Sequence, residues 1–172
     1  MPADLILYDA KNNYFGIDYK EIKFSNMNEL KKSKLNIVQG NTINRDILEN
    51  KNIDILVNPE LGLKKDSLHF RNSGLNKILC NLARKNNIII GFSFSNFLNS
   101  RDRSLLLGRM MQNVRLCRKF KVKMIVASFA TDEFELRSID TLRAFSSIIG
   151  MNPGEFNKSQ KELEILLKKV YL

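Results

Sequence analysis

At 172 residues, 44% of them hydrophobic and 27% charged, the chain holds about one domain's worth of globular sequence, which excludes a wholly disordered or fibrous protein. Its 28 Lys and Arg against 18 Asp and Glu leave a net charge of +10, so the partner to expect is a polyanion: nucleic acid first, an anionic membrane surface second. No apolar run approaches the roughly 18 residues of a membrane-crossing helix. The start of the chain carries Asp4 and Asp9 without a signal-peptide apolar stretch, so a soluble, cytoplasmic protein with no membrane partner is expected.

Residues 4–8 (DLILY) read as a strand. Residues 11–33 are polar, with a helix expected near Asn28–Lys32. A strand over 35–39 (LNIVQ) leads through Gly40 to a helix over 43–51, and 53–58 (IDILVN) reads as a buried strand ended by Pro59. A loop holding Gly62, Lys64, Lys65, His69 and Arg71 follows. Ser73 stands where it would cap the next helix, on which Leu75, Ile78, Leu79 and Leu82 fall at i, i+3, i+4 and i+7, the spacing of one buried face. Residues 88–95 (IIIGFSFS) form a strand, 102–120 a long helix and 123–130 (KMIVASFA) another strand. Ser138 caps a helix carrying Ile139, Leu142, Phe145 and Ile149; Gly150 stops it, Asn152-Pro153 starts the last one, and that runs to about Tyr171.

This alternation predicts an α/β fold of parallel strands joined by helical crossovers. Short, continuously apolar strands suit a sheet covered on both faces. An open doubly wound sheet and a barrel both satisfy the pattern. A full eight-fold barrel takes about 250 residues, so a barrel here is compact or incomplete. No repeat, low-complexity tract or linker divides the chain, and 1–172 reads as a single domain. Cys80 and Cys117 occupy apolar positions in helical patterns without CxxC spacing, and are expected to be buried thiols of a reducing compartment.

Protein-borne chemistry has little to stand on. His69 is the one histidine, so a multi-histidine metal site is ruled out, and there is no GxSxG elbow, P-loop or GxGxxG. A loop position touching a partner or solvent suits His69 better than a catalytic one. Glu60, Asp132, Glu133 and Glu135 sit beside strand ends, where a pair of them would suit Mg²⁺; the acids ahead of Ser138 also simply favour the dipole of the helix there.

The basic segment 101–123 stands out. Arg101, Arg103, Arg109, Arg115, Arg118, Lys119, Lys121 and Lys123 meet a single acid, Asp102, and leave +7 of the chain's +10 in under a seventh of its length. On a helical wheel Leu106, Leu107, Met110, Val114 and Cys117 form the buried side. Arg115, Arg118 and Lys119 cluster opposite, Arg109 lies at the border, and Arg101 and Arg103 sit at the N-terminus, where backbone amides favour anions. Like charges this close cost stability unless an anion meets them, and the guanidinium fork suits phosphate. Charge alone does not separate RNA from DNA.

At these residues the sequence resembles the ribonuclease P protein component 3 family, the thirty-kilodalton subunit of archaea and eukaryotes. The likeness runs through 54–60 (DILVNPE), 70–83 (FRNSGLNKILCNLA), 109–122 (RMMQNVRLCRKFKV) and 135–150, with its ELRS start and IIG end, and so covers residues 53–151. It implies a compact or incomplete TIM-barrel-like fold of parallel strands and outer helices, related to polymerase and histidinol phosphatase domains but without their metal site. It also implies a subunit of the ribonucleoprotein endonuclease that removes the 5′ leader from precursor tRNA, an enzyme in which the RNA is the catalyst. The partners implied are ribonuclease P RNA, ribonuclease P protein component 2 and the other protein subunits, with precursor tRNA reached indirectly. No cofactor belongs to this chain, and Mg²⁺ goes with the RNA. The RNA-facing residues carried over are Arg101, Arg103, Arg109, Arg115, Arg118, Lys119, Lys121 and Lys123, joined by His69, Phe70 and Arg71 ahead of SGLN. Phe70 is suited to stack on an unpaired base or, alternatively, to cover the helix entrance as a hydrophobic staple.

Two other readings compete: a stand-alone metal-dependent phosphoesterase on the same fold, using Glu60 or Glu135, and a non-enzymatic basic adaptor for an acidic protein surface. Metal-dependent hydrolysis by the RNA-free protein would mark the first, and a partner that survives nuclease treatment the second.

Overall fold

The computed structural model describes residues 2–10, 15–31, 35–63 and 65–171. Lys64 of the expected loop and Lys32, the end of the helix expected near Asn28, lie outside the described residues.

The described strands are β1 (Ala3–Ile6), β2 (Asp18–Glu21), β3 (Ile37–Gln39), β4 (Ile55–Val57), β5 (Ile89–Ser93) and β6 (Met124–Ala127). All pair in parallel: β1 with β2, and β3-β4-β5-β6 in chain order. Two seams join these sheets into a ring. Ser25 N donates to Ile37 O at 2.7 Å, tying the segment that follows β2 to β3. Ile6 bridges Ala130 in parallel, with Leu7 N donating to Ala130 O and Phe129 N to Leu5 O, both at 2.8 Å.

Side-chain alternation follows the same ring. Leu5, Ile22, Ile37, Ile55, Val57, Ile89, Ile125, Ala127 and Phe129 form one buried cluster, the barrel interior. Their neighbours Val38, Leu56, Ile90, Phe92 and Val126 point outward into a second cluster with the helices. The interior is tight: a Cβ on Gly91 would lie 3.1 Å from Val57 Cγ2. Of the two architectures open from sequence, the barrel-like one is therefore realised, with parallel strands inside and, apart from the C-terminal helix whose leucines enter the interior cluster, helices outside.

The helices are α1 (Asn44–Glu49), α2 (Lys77–Lys85), α3 (Phe94–Leu98), α4 (Arg103–Phe120), α5 (Ile139–Ile148) and α6 (Pro153–Tyr171), with a short 3-10 turn at Glu133–Glu135. Helix α6 packs against β6 and β1. Its buried Ser159 Oγ accepts from Val126 N at 2.9 Å, and its Leu163 and Leu167 join the interior cluster.

Three sequence expectations change. Strand β2 lies in the stretch read as polar, and residues 27–29 form turns and a bend rather than a helix. Helix α2 starts at Asn76, whose side chain accepts from Leu79 N, and not at Ser73, which is buried with its carbonyl bonded by Asn113. Its fully buried residues are accordingly Cys80 and Ala83, while Ile78 is 60% exposed. The run 88–95 turns helical at Phe94, because the Ser93 side chain caps α3 by accepting from Asn96 N. Cys80 and Cys117 are buried free thiols, as their apolar positions predict.

Candidate nucleic-acid interface

Helix α4 carries the basic segment. It begins where the Asp102 carboxylate accepts from Leu105 N at 3.0 Å; this bond, helped by Ser104, holds the carboxyl below the ordinary range. It ends at Lys121, whose left-handed backbone (φ 57°) lets its amide reach the Arg118 and Cys117 carbonyls. Leu106, Met110, Val114 and Cys117 are buried, as the wheel predicts. At about 1.5 Å per residue the helix is roughly 27 Å long. Arg101 and Arg103 therefore stand at one end and Lys121 and Lys123 at the other, so the segment is not a single patch.

Arg115 and Lys119 are exposed near the C-terminal half of α4, and Lys119 Nζ lies 5.8 Å from the Phe120 ring centroid. Arg118, expected as an equal member of this cluster, is committed internally. Its Nε and Nη2 each sit 2.7 Å from a Glu155 oxygen, and Nη2 donates to Gly150 O at 2.6 Å. The pairing with Arg118 holds the Glu155 carboxyl below its usual range. Lys123 pairs with Glu162 at 3.0 Å. Arg103 donates to Leu98 O at 2.6 Å and lies over Phe97, while Arg101 is exposed.

Arg109 is a correction. It is only 6% exposed and does not face solvent. Its Nε and Nη2 reach Asp66 Oδ1 at 3.0 and 2.9 Å, and Nη1 approaches Glu60 O. Beside it, the buried Asn113 donates to Glu60 Oε2 at 3.2 Å and to Ser73 O at 2.7 Å. Burial pushes the Glu60 carboxyl up to about 7, against the opposing pull of its own amide, Asn113 and Arg109. This buried polar cluster, which no sequence pattern announces, fastens the loop after β4 onto α4. The one hint in the sequence was the border position of Arg109 on the wheel.

That loop presents the second set of candidates. Asp66 Oδ1 also accepts from Asn72 N, and Ser67 and Phe70 close a turn through Ser67 N to Phe70 O (3.0 Å) and Phe70 N to Ser67 Oγ (3.1 Å). Arg71 Nη1 donates to Gly108 O at 2.9 Å, its guanidinium lying where a Cβ on residue 108 would be, and Gln112 donates back to Arg71 O. On this anchored turn His69 is exposed, Leu68 is 94% exposed and Phe70 66% exposed. Phe70 is thus not a staple over the helix entrance.

The carboxylates a phosphoesterase would need are turned to other uses. Glu135 accepts from Ser95 Oγ at 2.6 Å, from Thr131 N and Oγ1, and from Asn99 Nδ2. Burial alone would raise its pKa, but these bonds together hold it low. Asp132 caps the 3-10 turn. Among the described residues, no three His, Cys, Asp or Glu side chains gather where they would hold a metal ion, and no helix is long and apolar enough to cross a membrane.

Comparison with known proteins places this geometry. The family model described as RNase P subunit p30 matches residues 19–168. Ribonuclease P protein component 3 of a Methanococcus maripaludis strain is 31% identical over 154 residues, covering 83% of this chain and 63% of the relative. Its counterpart in Methanosarcina acetivorans is 34% identical over 123 residues, covering 69% and 48%. A chain in the cryo-EM structure of archaeal ribonuclease P with mature tRNA superposes with a TM-score of 0.68 at 25% identity, covering 80% of this chain and 58% of that one. The chain therefore spans less than two thirds of the length of these relatives.

Proposed function

The chain belongs to the RNase P subunit p30 family, and from that membership we propose that it is a protein subunit of a ribonuclease P ribonucleoprotein, binding and bracing the RNA that removes the 5′ leader from precursor tRNA. The family match over 19–168 carries this reading. The charge distribution supports it: Arg101, Arg115, Lys119 and Lys121 stand exposed on or beside α4 and suit phosphate contacts. Arg118 and Lys123 contribute from within ion pairs, Arg103 from its seat over Phe97, and His69, Phe70 and Arg71 from the anchored turn. Arg109 supports the interface from beneath.

In this role the RNA performs the cleavage and holds the Mg²⁺, component 2 and the other subunits dock beside it, precursor tRNA is reached indirectly, and the assembly works in the cytoplasm. The test is binding of the purified chain to ribonuclease P RNA across a salt series. Affinity should fall linearly with salt on logarithmic axes as counterions are released. Arg115→Ala with Lys119→Ala should weaken binding and flatten that slope by about one unit for each phosphate no longer neutralised. The protein alone should not cleave precursor tRNA. A folded double variant with the parent's affinity and slope would remove this face from the interface.

A further inference from the structure

A cleft of about 480 Å³ opens beneath the Phe70 turn, between the start of α1, the loop leading into α2 and the middle of α4. We infer that it receives one unpaired nucleotide of the RNA, with the base stacked on Phe70. This rests on the RNA-binding reading above.

The volume falls in the range of about 300–1,000 Å³ typical of small-ligand sites. The lining is what an unpaired nucleotide needs. Phe70 offers an aromatic face at the rim, and Arg71 and Lys77 supply positive charge, with Arg45 beside them in an ion pair with Glu49 at 2.9 Å and no Asp or Glu among the described lining residues. The carboxamide oxygens of Asn41 and Asn76 are taken by the amides of Ile43 and Leu79, which leaves their NH₂ groups as donors to a base edge. Recognition of single-stranded RNA combines these same elements: a stacked base, polar groups at its edge and cations at its phosphates. An apolar side chain from a protein partner fits less well, because it would strip water from the cations and carboxamides without replacing it.

The turn is also held ready. The part-buried Arg109–Asp66 pair, the Arg71–Gly108 bond and the Ser67–Phe70 closure fix it before any ligand arrives. A ring displayed on an anchored turn loses less freedom on binding than one on a loose loop.

The experiment is binding of the full chain to ribonuclease P RNA over a salt series, with photo-crosslinking to 4-thiouridine-substituted RNA. Phe70→Ala should weaken binding about tenfold with the salt slope unchanged, since stacking releases no counterion. Phe70→Tyr should restore it, and Lys77→Ala should lower the slope by about 0.7–0.9. Crosslinks should join residues 65–77 to an unpaired nucleotide. If Phe70→Ala and Lys77→Ala bind like the parent while the Arg115/Lys119 variant is weakened, the cleft assignment fails and the RNA-binding reading stands. If the parent shows no salt-dependent binding, that reading fails and the cleft falls with it. Loss of component 2 binding in Phe70→Ala, at unchanged RNA affinity, would overturn the proposal in favour of a protein contact.

Discussion

Arg109 and Arg115 are the same residue type six positions apart on one helix, yet one is sealed inside and the other meets solvent. The difference is Asp66, which arrives from a loop far away in sequence and gives Arg109 a partner. Arg109→Ala removes the buried charge itself and leaves the half-buried Asp66 carboxylate without its cation, so it should cost about 1–3 kcal/mol in denaturant unfolding. Arg109→Ala protein that remains folded should keep the parent's salt slope for RNA, because this guanidinium meets no phosphate. Two buried carboxyls set a pH dependence. Burial pushes Asp4 up to about 6, despite bonds from the Ser128 and Leu5 amides, and Glu60 up to about 7. Each binds its proton more tightly folded than unfolded. Their contribution is therefore complete below about pH 4 and is lost as pH rises through 6 to 7, worth about 3 kcal/mol each. Asp4→Asn and Glu60→Gln should each flatten the decline in unfolding free energy measured between pH 4 and 7. Glu135 and Glu155, held low, act in the opposite sense, and their contribution disappears on acidification below the ordinary carboxylate range.

The elements show where local pattern suffices. Helix α5 starts at the cap its sequence announces, Ser138, because a side chain bonding the first-turn amides is a local event; the Asp102 cap of α4 is of the same local kind, though only the structure brought it out. Helix α2 misled because Leu75 mimics the first member of a helical stripe while lying before the cap. The residues that face the barrel are the small Cys80 and Ala83, which allow close approach. Strand β2 (DYKE) has no apolar signature; its pairing with β1 defines it. Helix α6 is bound to the barrel by a specific bond as well as by its leucines. Ser159→Ala should leave the buried Val126 amide without its acceptor and lower stability by about 1–3 kcal/mol. Thermal or denaturant unfolding reads this directly, and a change below a few tenths would mean the amide finds another acceptor.

For the molecule as a whole, ring closure decides what the surface offers. The barrel takes in Leu5, Ile37, Val57 and Phe129 and turns the helices outward, so α4 displays its charges at two ends about 27 Å apart. One RNA helix or two separate strands must reach across that distance. In the same salt series, Arg101→Ala with Arg103→Ala and Lys121→Ala with Lys123→Ala should therefore act additively, since sites this far apart share no partners. Strong non-additivity would place both ends on one compact anion.

The amino-acid sequence by itself determined the parallel α/β class, the long basic helix, the cap of α5, the buried thiols and the family resemblance. Each depends on periodicity, on short-range capping or on motif, and so is written within neighbouring residues. Tertiary structure alone decided that the strands close into a ring, through Ser25–Ile37 and Ile6–Ala130. It also decided which cations face outward and that Arg109 anchors the Phe70 turn. Those outcomes depend on groups distant in the chain meeting in space. A charge on a helical wheel shows its angle, but only the fold shows whether a carboxylate or water lies opposite it.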